Sequence, residues 1–463
     1  MVYGHRRLVD QLDLNGMNDG ASLLAIGDIH LGTSCSGVPD WIASRGVDPR
    51  DLTPAAALRV AVDLAIENGL DAVLFAGDVV ESTNARFEAI MPLEKSVRRL
   101  IDAGIEVIAV AGNHDVEALP RLAALVEGFT LLGAGGRWEA RTISKNGSPV
   151  AQVVGWSFGQ ERVRQSPVAE LLTRPLSVPS SPVPRIGLLH ADLNASGGPH
   201  APVGQAELDD ADCDAWLLGH VHKPSLESLA ASTESRPSGY LGSLVGLDPS
   251  ETGPHGPWLL RVSNAGDIDI SMIPLAPLRW EQVAVRVDGI EHVDDVGDRL
   301  MGEAERLVRR LGAAAPLPLA VGLRAQLTGP TTCYEDIRQW IARGEWKSMG
   351  RVVDGTAVFF NKVIDWMGLR LDLAQTASGD DPAALLARRL LMLGRNDDES
   401  KALLDQARTK LAEVARDHVW QPVQEHRNAT DPLSDDALRD VLFRAGKAAL
   451  NAMLFDRERD QLK

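Results

Sequence analysis

Cysteine is scarce: Cys35, Cys213 and Cys333 are the only three in 463 residues, and they lie far apart. That excludes a disulfide framework and suits a reducing compartment, so the expected location is cytoplasmic. Long apolar runs are also missing. No stretch approaches the roughly 20 residues needed to span a bilayer, and no membrane association is expected. The first 20 residues are polar and lack the apolar centre of a secretory signal. We read residues 1–21 as an N-terminal extension, either disordered or lying upstream of a start at Met17. Positive charge is in deficit, with 47 Lys+Arg against 64 Asp+Glu for a net −17. This is the wrong sign for a protein that coats nucleic acid non-specifically. It leaves room for an enzyme that grips phosphates through metal ions and a local basic patch, or for a subunit whose partner supplies the DNA-binding surface. Internal repeats and low-complexity blocks are absent. What remains is a globular composition, 44% hydrophobic and 24% charged, over a length that allows two or three domains.

Five clusters in the first 222 positions carry the chemistry. They read Gly27-Asp28-Ile29-His30, Gly77-Asp78, Gly112-Asn113-His114-Asp115, Leu189-His190 and Gly219-His220-Val221-His222. Carboxylates, a carboxamide and imidazoles are hard and borderline donors suited to Mn, Fe or Zn. Each cluster follows an apolar, strand-like run: Leu23–Ile26, Ala72–Phe75, Val107–Val110, Ile186–Leu189 and Trp216–Leu218. Donors at the exits of several strands can converge on one edge of a sheet.

The first segment alternates strand and helix: strand 22–27, helix 53–69, strand 72–76, helix 84–103, strand 105–111. That order implies parallel strands with covering helices. From about 130 the text grows richer in Gly, Pro and short β-like runs, such as 149–154 and 258–262, and a second, more antiparallel sheet is expected. The predicted fold is an α/β, four-layer α/β/β/α sandwich over 22–275. A small α+β unit follows at 276–378, with strands near 281–287, 319–327 and 356–364 and helices near 292–311 and 332–343. The last portion, 379–463, reads as helical. Asp381-Pro382 opens one helix and Gly394 closes it; another spans 399–419. The final one starts at Ser434, with an apolar stripe of Leu438, Val441, Leu442, Ala445, Ala448, Ala449, Ala452 and Phe455.

Two metals close together clamp a phosphodiester, share a bridging ligand and acidify bound water. The shared ligand needs two available oxygens, and Asp78 is the candidate. Residues i and i+2 of an extended segment point to one side, so Asp28/His30 and His220/His222 can each direct two donors into one site. Asn113 offers a neutral oxygen, and His190 completes the set. His114 is better placed to serve the leaving oxygen than to bind metal. Taken singly, Asp-x-His is usually structural, Gly-Asp is a turn signal, and His190 after an apolar run is more often a satisfied core histidine. Five clusters in order, each after a strand, are far harder to dismiss. His5, His200, His255, His292, His418 and His426 take the surface or loop reading by default.

The pattern resembles the calcineurin-like metallophosphoesterase superfamily. Within it, Asp28–Gly32, Gly112–Asp115, Leu217–Pro224 and Tyr240–Gly256 (with Glu251-Thr-Gly-Pro) look like SbcD-like DNA repair exonuclease subunits. Pro274–Trp280 narrows the likeness to the YhaO-like subgroup. The resemblance is specific over about 22–280, suggestive over 281–375 and weak beyond. It implies that Asp28, His30, Asp78 and His222 hold one metal. Asp78, Asn113, His190 and His220 would hold the other, with His114 as the catalytic residue and Mn2+ as the usual ion. Val80 and Glu81 stand where Phe and Asp or His are frequent, so no second catalytic helper is carried over to Glu81.

The resemblance also implies an SbcC-like coiled-coil ATPase subunit docking on C-terminal helices, and a homodimer. The 276–378 unit would cap the DNA path, with Arg309, Arg310, Arg324, Arg338 and Arg343 as phosphate contacts or solvated surface. The expected function is a Mn-dependent nuclease acting on duplex ends and single strands of DNA within an SbcCD-like double-strand-break repair complex. The alternatives are a small-nucleotide phosphodiesterase or phosphatase, and a non-catalytic DNA-end-binding scaffold.

Overall fold

Short apolar runs buried on both faces make the first strands, as parallel strands covered by helices require. β1 (Ala21–Ile26), β2 (Ala72–Ala76), β3 (Glu106–Val110) and β4 (Phe129–Leu131) succeed one another, separated by helices Pro54–Glu67, Phe87–Asp102 and Ala118–Leu125. Each crossover is long, and β1–β2, β2–β3 and β3–β4 all pair parallel. The helix at 54 begins as its sequence dictates. Thr53 Oγ1 accepts from Ala56 N, and Pro54 sits in the first turn, where its missing N–H is not needed.

The computed structural model describes residues 20–81, 87–176, 183–195, 197–227, 236–369, 373–395, 398–415 and 435–461. Most of the expected N-terminal extension, and Ser434 as the start of the last helix, lie outside the described residues. No described helix is long and apolar enough to cross a membrane.

Next come β5 (Trp138–Lys145), β6 (Ser148–Trp156), β7 (Arg185–His190), the short β8 (Asp192–Leu193) and β9 (Pro202–Val203), β10 (Ala215–Gly219) and β11 (Ser238–Tyr240). β12 (Trp258–Val262) and β13 (Ile268–Met272) close the domain. One sheet has the order β13-β12-β1-β2-β3-β4, and the other β11-β10-β7-β6-β5.

The second sheet corrects the expectation of an antiparallel one. Only β5–β6 is antiparallel, joined by a tight hairpin. β6–β7, β7–β10 and β10–β11 are parallel, because the connections between them are long enough to return the chain to its starting edge. The run 258–262 belongs to the first sheet, where it pairs antiparallel with β1.

Alternation along β1 divides the core into layers. Leu24 and Ile26 face the helices at 54–67, 87–102 and 118–125. Leu23 and Ala25 face the other way and pack with Ile143, Val153, Ile186, Leu188 and Leu217 of the second sheet. That sheet's far side, through Val154, Leu189, Trp216 and Leu218, meets Val168, Leu171 and Leu208 of the helices Pro167–Thr173 and Gln205–Asp210. The architecture is therefore the α/β/β/α sandwich expected.

Beyond it, β14 (Leu278–Arg286), β15 (Ala320–Thr331), β16 (Gly350–Val353) and β17 (Thr356–Leu369) form a sheet ordered β14-β15-β17-β16. Helices Asp295–Ala314 and Tyr334–Arg343 lie between them in sequence. Two compact units are distinguished. One runs to Val283 and adds Met301–Ala325 and Trp346–Lys362; the other holds Ala284–Leu300, Gln326–Glu345 and the chain from Val363.

In the second unit, Asp381 caps the helix Pro382–Leu393 by accepting from Ala384 N at 2.8 Å. That helix packs with Asp398–Ala415 and Asp435–Gln461 around Ala387, Leu390, Leu404, Leu438 and Leu450. The predicted apolar stripe of the last helix is corrected here. The buried side follows steps of four, Leu438, Leu442, Leu450 and Leu454, while Val441, Ala445, Ala448 and Ala449 are exposed. The side chains of Ala452 and Phe455 lie outside the described residues.

Candidate metal centre

The expected donors leave the carboxyl ends of neighbouring strands. β1, β2 and β3 run parallel, so Asp28, Asp78 and Asn113 emerge along one sheet edge. β7 ends on His190, and its parallel neighbour β10 is followed by His220. The turns at these exits are tight. Asp28 (φ 37°), His30 (φ 52°), Asp78 (φ 47°) and His220 (φ 110°) all have positive φ, which costs free energy for a residue with a Cβ. The surrounding loops hold them there: His30 N donates to Asp78 O and Leu31 N to Val79 O, each at 2.9 Å. Two of the motif glycines answer to close approach. A Cβ on Gly112 would lie 2.2 Å from Asp78 Oδ1, and one on Gly219 would lie 2.1 Å from Ala76 O.

These exits bring the predicted residues together. Donor atoms of Asp28, His30 and His222 lie within 4.8 Å of one another, as do those of Asp78, His190 and His220. Asn113 Oδ1 is 3.2 Å from His190 Nε2. Asp78 joins the two groups, its Oδ2 lying 3.3 Å from His190 Nε2 and 3.9 Å from His30 Nε2. His114 stands beside them, half-buried, with its ring centroid 5.3 Å from that of His30.

Hydrogen-bond directions show what the imidazoles present. Nδ1 of His30 lies 3.2 Å from Glu81 Oε2, and Nδ1 of His222 lies 2.8 Å from Glu251 Oε1. A carboxylate only accepts, so both Nδ1 atoms carry hydrogen. In the neutral rings the two Nε2 atoms, 3.0 Å apart, then face each other as lone pairs. His190 is engaged on both sides: its Nδ1 donates to the carbonyl of Ala76 at 3.1 Å, and its Nε2 points a hydrogen at Asp78 Oδ2 and Asn113 Oδ1, a proton that a metal would have to displace.

The charges are mutually strained. Burial raises Asp28 to about 6 against the pull of His190, and raises Asp115 to about 7 with the help of Asp78's charge. Burial alone would lower His190, but Asp78 and Asp28 carry it up to about 9. Burial and the adjacent His190 depress His220 to about 3. Asp78 stays well below the usual carboxylate range: His190 and His30 overcome its burial.

Sequence reasoning missed several residues around this centre. Asp115, inside a motif but given no role, accepts from Gly112 N at 2.6 Å and Val79 N at 2.7 Å, tying two donor loops together. Its position three residues after Gly112 is the spacing at which a carboxylate reaches back to a turn amide, and that was the available signal. Glu81 touches both His30 and His114, the latter at 2.9 Å to Nδ1. Asp192 and His200 form a third group with His220, so His200 is no stray surface residue. His255 is likewise corrected: it is buried, 2% exposed, and bonded to Ser243. His292 is exposed as expected, and His5, His418 and His426 lie outside the described residues. Among the arginines, Arg338 pairs with Asp365 and Arg343 with Glu345.

Residues 21–224 match the family model for calcineurin-like phosphoesterases. The chain is 27% identical over 330 residues to the uncharacterized metallophosphoesterase YhaO of Bacillus subtilis, covering 66% of this chain and 72% of that one. It is 27% identical to the DNA double-strand break repair protein Mre11 of Haloferax volcanii, covering 51% of this chain and 50% of that one. The Mre11 protein of Aeropyrum pernix is also 27% identical, with 58% of this chain and 63% of that one covered. The chain thus spans half to just under two-thirds of the Mre11 relatives it matches.

Proposed function

We propose, from the premise that residues 21–224 form a calcineurin-like phosphoesterase domain, that this chain is a Mn-dependent nuclease hydrolysing phosphodiester bonds of DNA. One observation carries the reading. Two imidazole Nε2 atoms face each other at 3.0 Å while their Nδ1 atoms are held by carboxylates. Such opposed lone pairs call for a cation between or beside them, and the donor set fits a pair of divalent ions. Asp28, His30, Asp78 and His222 would hold one, and Asp78, Asn113, His190 and His220 the other. When bound, two such ions act as Lewis acids on a phosphoryl group and acidify water. The mixture of imidazole, carboxylate and carboxamide oxygen suits Mn, Fe or Zn, and Mn2+ is chosen among them on the resemblance.

The chain's own residues do the rest. Asp115 fixes the loops that carry Asp78 and Asn113. Glu81 accepts from His114 Nδ1, which leaves His114 Nε2 as the atom that meets the departing oxygen; in the imidazolium form that nitrogen gives up its proton and the ring returns to neutral with Nδ1–H still on Glu81. Glu81, set aside on sequence grounds, thereby joins His114 as its orienting partner.

The DNA substrate is supported by the two relatives named as double-strand break repair proteins. It is also supported by the long stretch beyond the catalytic domain, which a small substrate does not require. On this reading 22–275 is the nuclease domain, 276–378 caps the DNA path, and 379–463 docks an SbcC-like coiled-coil ATPase subunit, the whole acting as a homodimer in the cytoplasm. Exposed Val441, Phe443 and Met453 on the last helix suit such a partner.

The test is cleavage of linear duplex and single-stranded DNA with Mn2+, beside a generic small diester. Cleavage of DNA that needs Mn2+ supports the proposal. Turnover of the small diester alone returns the chain to the nucleotide phosphodiesterase reading. DNA-end binding without turnover of either substrate favours the scaffold.

A further inference from the structure

A series of hydrogen bonds runs outward from His222 into the segment that sequence singled out but function left unused. Glu251 Oε1 lies 2.8 Å from His222 Nδ1. Its other oxygen, Oε2, accepts from Ser243 Oγ and from Leu247 N, both at 2.9 Å. The Ser243 hydroxyl also lies 3.1 Å from His255 Nδ1, which sits 2.9 Å from the Ser243 carbonyl. Ser243 is fully buried, and its backbone N–H donates to the His222 carbonyl at 2.8 Å.

Donor and acceptor identities set a single direction along this series. The Ser243 carbonyl only accepts, so His255 Nδ1 carries a hydrogen and points it at Ser243. The one hydroxyl proton of Ser243 is then free to go to Glu251 Oε2. Glu251, with Oε2 engaged twice, offers Oε1 to His222 Nδ1–H. Each step fixes the next, and the last leaves Nε2 of the neutral His222 ring as the lone pair that faces His30.

We infer that Ser243, Glu251 and His255 are positioning residues, a buried brace that sets the tautomer and direction of His222. The inference rests on the reading of His222 as a metal donor and extends that reading to residues outside the five motifs. Partners that orient a ligating imidazole in this way are worth about 10–100-fold in metal affinity. A segment that merely packs would give stability without affecting the metal.

The experiment is calorimetric titration of the full chain with MnCl2, together with the visible spectrum of the Co2+-loaded protein. Glu251→Ala and Ser243→Ala should each weaken one of the two sites by about 10–100-fold and alter the cobalt spectrum, leaving the other site near wild type. Glu251→Gln, which keeps an acceptor oxygen, should recover part of the loss. Ser243→Ala removes only a hydroxyl and carries the test if Glu251→Ala fails to fold. Variants that melt earlier yet bind Mn2+ with unchanged affinity and spectrum would overturn the brace. A wild-type chain that takes up no divalent ion would sink the phosphoesterase reading first and the brace with it. Wild-type uptake with unaffected variants would sink the brace alone.

Discussion

A methyl group at position 112 tests how closely the donor loops are fitted. The Cβ of Gly112→Ala would lie 2.2 Å from Asp78 Oδ1 and 2.6 Å from Asp78 N. Ordinary contact begins near 3.4 Å, so one loop has to move by about 1 Å. Asp78 has little freedom to yield. Its Oδ1 accepts from His114 N at 3.0 Å, its carbonyl from His30 N at 2.9 Å, and its Oδ2 sits 3.3 Å from His190 Nε2. Overpacking of this kind costs about 1–3 kcal/mol, and a metal constellation tolerates displacements of only about 0.5 Å. We expect Gly112→Ala to lose that much stability in denaturant unfolding and to lose most Mn2+ uptake by calorimetry. The control is the same substitution at Gly302, inside the helix Asp295–Ala314. There the nearest neighbour is the tip of Arg306, at 3.9 Å. It should gain about 0.5–1 kcal/mol from helix propensity and bind metal as wild type. If Gly112→Ala takes up Mn2+ with wild-type affinity, the claim that Asp78 is held at a fixed point is wrong.

Three further outcomes follow from the same geometry. His114→Ala should slow diester hydrolysis by about 10²–10⁴-fold while the bound metal, counted by elemental analysis, stays unchanged; loss of metal instead would make His114 a ligand. Asp115→Asn turns one acceptor of a backbone N–H into a facing N–H donor. It should destabilise the fold by about 1–3 kcal/mol in urea unfolding, and a neutral result would remove Asp115 as the tie between loops. The pH dependence has a definite sign. His190, raised to about 9, stabilises the metal-free fold below its unfolded value near 6.5, and that contribution fades as pH rises through about 9. A divalent ion competes with this proton, so apparent Mn2+ affinity should rise about tenfold per pH unit between about 7 and 9. The Mn2+-induced gain in melting temperature should accordingly be larger near pH 8.5 than near pH 6.5, and a gain independent of pH would refute the competition.

The layered fold was legible wherever local pattern decides. Five-residue apolar runs separated by helix-length segments can only make parallel strands under helices, and β2 falls on the expected 72–76. The second sheet was harder because sheet membership is a long-range property. The run 258–262 looks like any short strand, and nothing within it says that its partner is β1, more than 230 residues earlier. Glycine, proline and short β-like runs from about 130 onward suggested a more antiparallel sheet. The connection from β6 to β7 is a long crossover, and it is crossover length that sets strand direction. In the last helix, apolar content was visible but the buried side was not, since alanine suits either side and only contact with Leu390 and Leu404 selects Leu438, Leu442 and Leu450.

The site divides along the same physical line. Residues that present donors follow strands directly, so their chemistry and their placement appear together in one short motif, as in Gly77-Asp78 or Gly219-His220. Residues that orient those donors are reached through space. Glu251 stands 29 positions from His222, and Glu81 stands 51 from His30 and 33 from His114. A glutamate in a loop carries no periodic signature, so composition and spacing could not assign these. Departure from a family pattern misled as well: Glu81 was set aside because Asp or His is frequent there. Yet a longer carboxylate can still reach two imidazoles at once, and the fold places it within 3.2 Å of both. What a position must supply here is an acceptor at a given point. The chain can meet that demand with any side chain whose length fits the backbone it hangs from, which is why donors were readable from type and orienting partners only from geometry.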